Sequence, residues 1–149
     1  MDFFKKGLNK VKGKMTQAEL EKKLNEATVN ETGLASISLL NEISSRSDES
    51  EECKVISKYC IKILGLKPKM WKRILRSLAL IEHILKTGSQ NFVDQIKDER
   101  DKIKDLFEFK YEEDLKDWGE PSKFFIYLIY SFCSKTKVPI YIWFSHWFF

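Results

Sequence analysis

The chain has 149 residues, enough to bury one sizeable core but few for two, which bounds it to a single domain with appendages. A formal net charge of +4 with 32% charged residues suits a soluble globule or a mildly basic surface binder. Three cysteines (Cys53, Cys60, Cys133) without a CxxC pair, and two unclustered histidines, argue against a disulfide framework or a zinc site and point to a reducing compartment.

Residues 1–15 hold Lys5, Lys6, Lys10, Lys12 and Lys14 against Asp2 alone, a local balance of +4 that equals that of the whole chain, so the remainder sums to neutral. Phe3, Phe4, Leu8, Val11 and Met15 recur at helical spacing between these lysines, an amphipathic pattern. Gly7 and Gly13 each cost a helix about 1 kcal/mol relative to Ala, and so short a helix is marginal in water. The segment is therefore expected to order only on binding. Phe3 and Phe4 precede the lysines, the reverse of a secretory signal.

Thr16 and Glu19 form a capping box that starts a first stable helix, running to about Thr28. After Asn30 and Gly33, the residues Leu34, Ile37, Leu39, Leu40 and Ile43 mark the buried side of a second helix. The acidic run Asp48 to Glu52 suits the positive end of a third, which carries Val55, Ile56, Tyr59, Ile63 and Leu64. Gly65 and Pro68 precede the strongest segment, Lys69 to Lys86, with a wide apolar face from Trp71 to Leu85 and a glycine C-cap at Gly88. Phe92, Val93, Ile96, Ile103, Leu106 and Phe107 support one or two further helices. The fold class is all-α.

From Phe124 onward the composition changes: the segment holds 11 of the chain's 20 aromatic residues and no acidic one. Its apolar run from Phe124 to Cys133 is too short to cross a bilayer. Residues 122–149 are accordingly read as an anomalous aromatic tail of the kind an unspliced AT-rich intron encodes, appended to a helical domain over 16–121.

No nucleophile elbow or metal-spaced ligand set accompanies His83 or His146, so no catalytic residue, metal or cofactor is assigned. Lys69, Lys72, Arg73 and Arg76 are more informative. Spacings of three and four put them on one helix face, none has an acidic residue three or four positions away, and they stand in the half of the helix whose macrodipole disfavours cations. Anion binding and ion pairing to neighbouring helices are the two readings of this stripe. Nucleic acid is disfavoured, since Trp71 is the only aromatic interleaved with it.

Several stretches resemble signatures of the epsin N-terminal homology (ENTH) family: Glu26 to Asn30 (EATVN), Leu39 to Ile43 (LLNEI), Trp71 to Arg73 (WKR), Leu80 to Ser89 (LIEHILKTGS) and Lys116 to Gly119 (KDWG). The resemblance implies a right-handed superhelical stack of about seven helices behind an amphipathic segment that folds into one leaflet on binding phosphatidylinositol bisphosphate. By that resemblance Phe3, Phe4, Leu8 and Val11 insert, while Lys5, Lys6, Lys10, Asn30, Lys69, Lys72 and Arg73 meet the headgroup. Asn25 and Ile63 stand where many members carry Arg, which implies a weaker or different lipid preference, with Lys22, Lys23 and Arg76 as substitutes. The implied role is that of a non-catalytic, cytoplasmic adaptor for coated vesicles, peripheral on plasma membrane, endosome or Golgi-derived vesicles, with clathrin, adaptor complexes or SNAREs as protein partners. A module that holds SNARE or coat proteins, with weak lipid binding, is the competing expectation.

Overall fold

The protein is seen in a computed structural model that describes residues 16–106, 112–113, 116–117 and 120–133. The amphipathic segment expected over 1–15 and residues 134–149 of the tail lie outside the described residues.

Helix α1 spans Gln17–Ala27. The expected capping box is present: the Glu19 amide donates to Thr16 Oγ1 at 3.2 Å, and the Thr16 amide to Glu19 Oε2 at 3.1 Å. Leu20, Leu24 and Ala27 form its buried stripe. The chain then turns through Gly33, whose φ of 91° only glycine adopts freely, and enters α2, Ile37–Arg46, capped by Ser36. Helix α3, Ser50–Leu64, places Glu51 and Glu52 in its first turn, as the macrodipole favours, and buries Cys53, Ile56, Cys60, Ile63 and Leu64.

A 3-10 turn at Pro68–Met70 leads into α4, Trp71–Thr87. Eleven of its seventeen residues are buried. A helix buried on so many sides must be enclosed, and α4 packs against α1, α2 and α3 and against two later helices, α5, Gln90–Asp98, and α7, Glu120–Cys133. Between those two lie α6, Arg100–Asp105, and a short antiparallel ladder in which Glu112 pairs with Asp117. Seven helices and one two-residue ladder make up the described residues, an all-α stack with α4 at its centre.

Two expectations are corrected. Residues 122–133, read as part of a tail outside the helical domain, form most of α7, which lies along α4 and buries Ile126 and Ile129 in the common core. Burying two such side chains contributes about 1.5–3 kcal/mol each, a large share of a typical domain stability. The packing therefore runs past the boundary drawn at 121. Pro121 sits in the first turn, where its missing N–H costs nothing. The second correction concerns Leu34 and Ile37, which are 50% and 70% exposed rather than on the buried side. Leu34 precedes the Ser36 cap, and Ile37 lies a full turn ahead of Leu40, the first buried position of α2.

Gly88 ends α4 as expected, for an unexpected reason. Its φ is −95°, open to any residue, but an added Cβ would stand 2.6 Å from Ser47 Oγ, 2.6 Å from Ile84 Cγ2 and 2.7 Å from the Ile84 carbonyl oxygen. The Ser47 contact comes from a hydrogen-bonded seam in which the Ser89 amide donates to Ser47 Oγ at 3.0 Å and the Ser89 hydroxyl to the Ser47 carbonyl at 2.6 Å. Gly88→Ala is expected to cost about 1–3 kcal/mol in urea denaturation by overpacking this seam.

Burial keeps the two core thiols protonated. It raises Cys53 against an opposing hydrogen bond from Ser89, and pushes Cys60 up from 9.0 to about 12 against an opposing hydrogen bond from Ser77. Between those values the unfolded chain has released the Cys60 proton while the folded chain keeps it, so the folded state binds more protons and stability falls as pH rises from about 9 to about 12. Comparing urea midpoints at pH 8 and above 10 should show a smaller pH-dependent loss in Cys60→Ala than in the parent chain.

Candidate anion-binding site

The site begins with the entry to α4. Pro68 fixes the 3-10 turn, and Trp71, 5% exposed, anchors the first turn of α4 in the core. The residues between and after these anchors carry the cations. Lys69 is exposed, and Lys72 is half-buried with its Nζ 5.6 Å from the Trp71 ring centroid, within range of a cation–π contact.

The two arginines behave differently. Arg73 Nε donates to the Thr28 carbonyl at 3.0 Å, and its Nη2 to the Tyr59 hydroxyl at 3.3 Å. Arg76, 7% exposed, donates from Nε to the Glu31 carbonyl at 3.1 Å and from Nη1 to the Ala27 carbonyl at 3.5 Å. Ala27 and Thr28 end α1, whose last carbonyls have no partner within their own helix and carry its negative partial charge. The cations that α4's own dipole disfavours thus serve the C-terminus of α1. The planar guanidinium fork reaches two carbonyls at once, which an ammonium group cannot reproduce in the same geometry.

This corrects the expectation for Arg76, proposed above as a headgroup ligand and as a replacement for missing cations. It is buried and holds backbone carbonyls. Lys23, the second proposed replacement, pairs with Glu42 at 2.6 Å, while Lys22 is exposed. Asn25 accepts from the Tyr59 hydroxyl at 3.3 Å, and Ile63 is 3% exposed within the core.

Tyr59 joins Asn25, Thr28 and Arg73, its hydroxyl lying 3.5 Å from Thr28 Oγ1 in addition to the contacts above. The sequence reading assigned Tyr59 only to the apolar stripe of α3. Its polar tip is a role that α3's periodicity carries no sign of. Asn30 lies exposed on the corner the arginines hold. Among the described residues, no carboxylate oxygen comes within ion-pair distance of Lys69, Lys72, Arg73 or Arg76.

The geometry therefore joins Asn30, Arg73 and Arg76 at one corner, with Lys72 next to Arg73 on α4 and Lys69 in the 3-10 turn before it. Lys5, Lys6, Lys10, Phe3, Phe4, Leu8 and Val11 lie outside the described residues. No group of three or more potential metal ligands occurs among the described residues, and His83 is engaged through Nε2 with Asn41 Oδ1 at 2.7 Å, tying α4 to α2.

Residues 17–136 match the family model of the ENTH domain. The chain is 31% identical over 117 residues to Epsin of Dictyostelium discoideum, covering 78% of this chain and 17% of that protein. It is 30% identical over 95 residues to Clathrin interactor EPSIN 1 of Arabidopsis thaliana, covering 64% of this chain and 17% of that protein. It thus spans about a sixth of the length of these relatives. Its fold superposes with a TM-score of 0.73 on the ENTH domain of epsin-2 in complex with phosphatidylinositol 4,5-bisphosphate, at 25% identity and covering 83% of this chain and 86% of that one. With a helical stack of the same form and a family match over most of its length, the chain belongs to the ENTH domain family.

Proposed function

We propose that this chain is a non-catalytic adaptor module that binds phosphoinositide-containing membrane during coated-vesicle formation, peripheral on the cytoplasmic face of plasma membrane, endosome or Golgi-derived vesicles. The observation that carries this reading is the pair Lys69 and Lys72: two accessible cations with no carboxylate partner among the described residues, beside a corner held rigid by Arg73 and Arg76. Such a pair faces an anionic surface without first having to break an ion pair, and each Lys near that surface contributes about 1 kcal/mol. Family membership supports the reading, as does the epsin-2 ENTH domain solved with its phosphoinositide. Peripheral binding also agrees with there being no helix, among the described residues, long and apolar enough to cross a membrane.

In this reading Lys69, Lys72, Asn30 and the outer edge of Arg73 meet the headgroup, and Lys5, Lys6 and Lys10 extend the basic surface. Phe3, Phe4, Leu8 and Val11 insert as the N-terminal segment folds. Clathrin, adaptor complexes or SNAREs are the protein partners proposed for it.

One observation favours protein docking as well. An open groove of about 970 Å³ runs between α3 and the α5–α6 pair, with Lys58 and Lys62 on one wall, Asp98 and Asp105 on the other, and Ile61 and Leu106 among its lining. Walls of opposite charge along an apolar strip suit a peptide better than a headgroup.

The membrane reading is tested by sedimentation with vesicles containing 5% phosphatidylinositol bisphosphate, scored against phosphatidylcholine alone. The full chain should partition to the former with a gain in helical circular dichroism. Lys69→Ala combined with Lys72→Ala should weaken partitioning about 30-fold, from about 1 kcal/mol per Lys, with a shallower salt dependence. Equal binding to both vesicle types would contradict it, and coat-protein capture unchanged in the same variant would favour the groove.

A further inference from the structure

Leu34 and Ile37 are the large apolar side chains that the described part of the domain leaves exposed, at 50% and 70%. They stand three residues apart, where the α1–α2 corner passes into the first turn of α2. A scattered surface Leu is ordinary, but two neighbouring ones on a braced corner are not. The bracing is specific. Arg76 holds the Glu31 carbonyl at 3.1 Å, three residues before Leu34, and Ser36 caps the helix on which Ile37 is the first residue.

The same arginine locates the pair relative to the cations. Arg76 and Lys72 are one turn apart on α4, about 6 Å along its axis, and Arg76 holds the corner at Glu31 directly. Helix α2 then runs alongside α4 in the same direction, with Asn41 on His83 at 2.7 Å and Ser44 on Thr87 at 2.7 Å. By that register Ile37 lies beside the middle of α4, within about two turns, or 11 Å, of Lys72 along the axis. Glu26 and Glu31 present exposed carboxylates near the corner, against Lys69, Lys72 and Arg73, which have no carboxylate partner among the described residues.

We propose that Leu34 and Ile37 form a second membrane anchor, a preformed apolar tip on the α1–α2 corner that enters the acyl boundary of an anionic lipid surface while Lys69 and Lys72 meet its headgroups. Apolar side chains beside unpaired cations are complementary to a surface that is anionic outside and apolar beneath. The corner is already folded, so its insertion carries no ordering cost of the kind an unfolded segment meets. The inference rests on the membrane-binding reading above and adds an element to it.

The test uses the full chain and the double variant Leu34→Ser, Ile37→Ser, with vesicles of phosphatidylcholine containing 5% phosphatidylinositol bisphosphate. Soluble inositol trisphosphate is the headgroup-only control. The proposal expects partitioning to vesicles to fall at least about tenfold while inositol trisphosphate affinity stays within about twofold, since each apolar side chain withdrawn from lipid removes a hydrophobic contribution and no charge. Both positions are exposed, so thermal midpoint and circular dichroism should match the parent chain. Vesicle binding equal to the parent's would overturn the proposal. So would a parent chain that is dimeric in solution and becomes monomeric in the variant, which would assign the pair to a second copy. A parent chain that does not bind these vesicles at all would instead overturn the membrane reading itself.

Discussion

The arrangement depends on how the end of α1 is satisfied. A helix terminus leaves carbonyls unpartnered, and burying them unpaired would cost more than a domain of this size can readily sustain. Here the Ala27, Thr28 and Glu31 carbonyls receive guanidinium N–H groups from Arg73 and Arg76 on α4. That exchange fixes the angle at which α1 meets the central helix and sets the shape of the corner carrying Asn30. It also explains why cations occupy the unfavourable half of α4. Their electrostatic cost in one helix is offset at the negative end of another.

From this division of roles follows a surface of two kinds of cation. The arginines, with planar donors suited to two acceptors, are committed inward. The lysines, Lys69 in the 3-10 turn and Lys72 next to Arg73, stay accessible, one exposed and one leaning on Trp71. A headgroup arriving at such a surface finds charge that is held in place yet not neutralised. The apolar corner at Leu34 and Ile37 extends the same logic, because its rigidity comes from the carbonyls the arginines hold.

Local chemistry was legible in the sequence wherever a short-range signal carried it. The Thr16–Glu19 box, the acidic start of α3 and the apolar face of α4 all appear where capping, helix dipole and periodicity place them. The roles of Arg73 and Arg76 were not, because their acceptors are backbone atoms 45 residues away and leave no mark in residue type. Tyr59 was hidden for a related reason: its ring follows the apolar stripe while its hydroxyl serves a different helix. At the tail, aromatic composition outweighed the three-residue spacing of Ile126 and Ile129, and a core helix was read as foreign sequence. Gly88 was placed correctly but explained wrongly, since only tertiary packing brings Ser47 against it.

Arginines that build the corner are distinct from the lysines proposed to meet the headgroup, and that separation is open to direct measurement. Urea denaturation of Arg76→Lys and Lys72→Ala beside the parent chain tests it. Loss of the two-carbonyl grip should destabilise Arg76→Lys by about 1.5–3 kcal/mol, whereas Lys72→Ala should stay within about 0.5 kcal/mol of the parent. A fully stable Arg76→Lys, or a Lys72→Ala that unfolds as readily as it, would contradict the account.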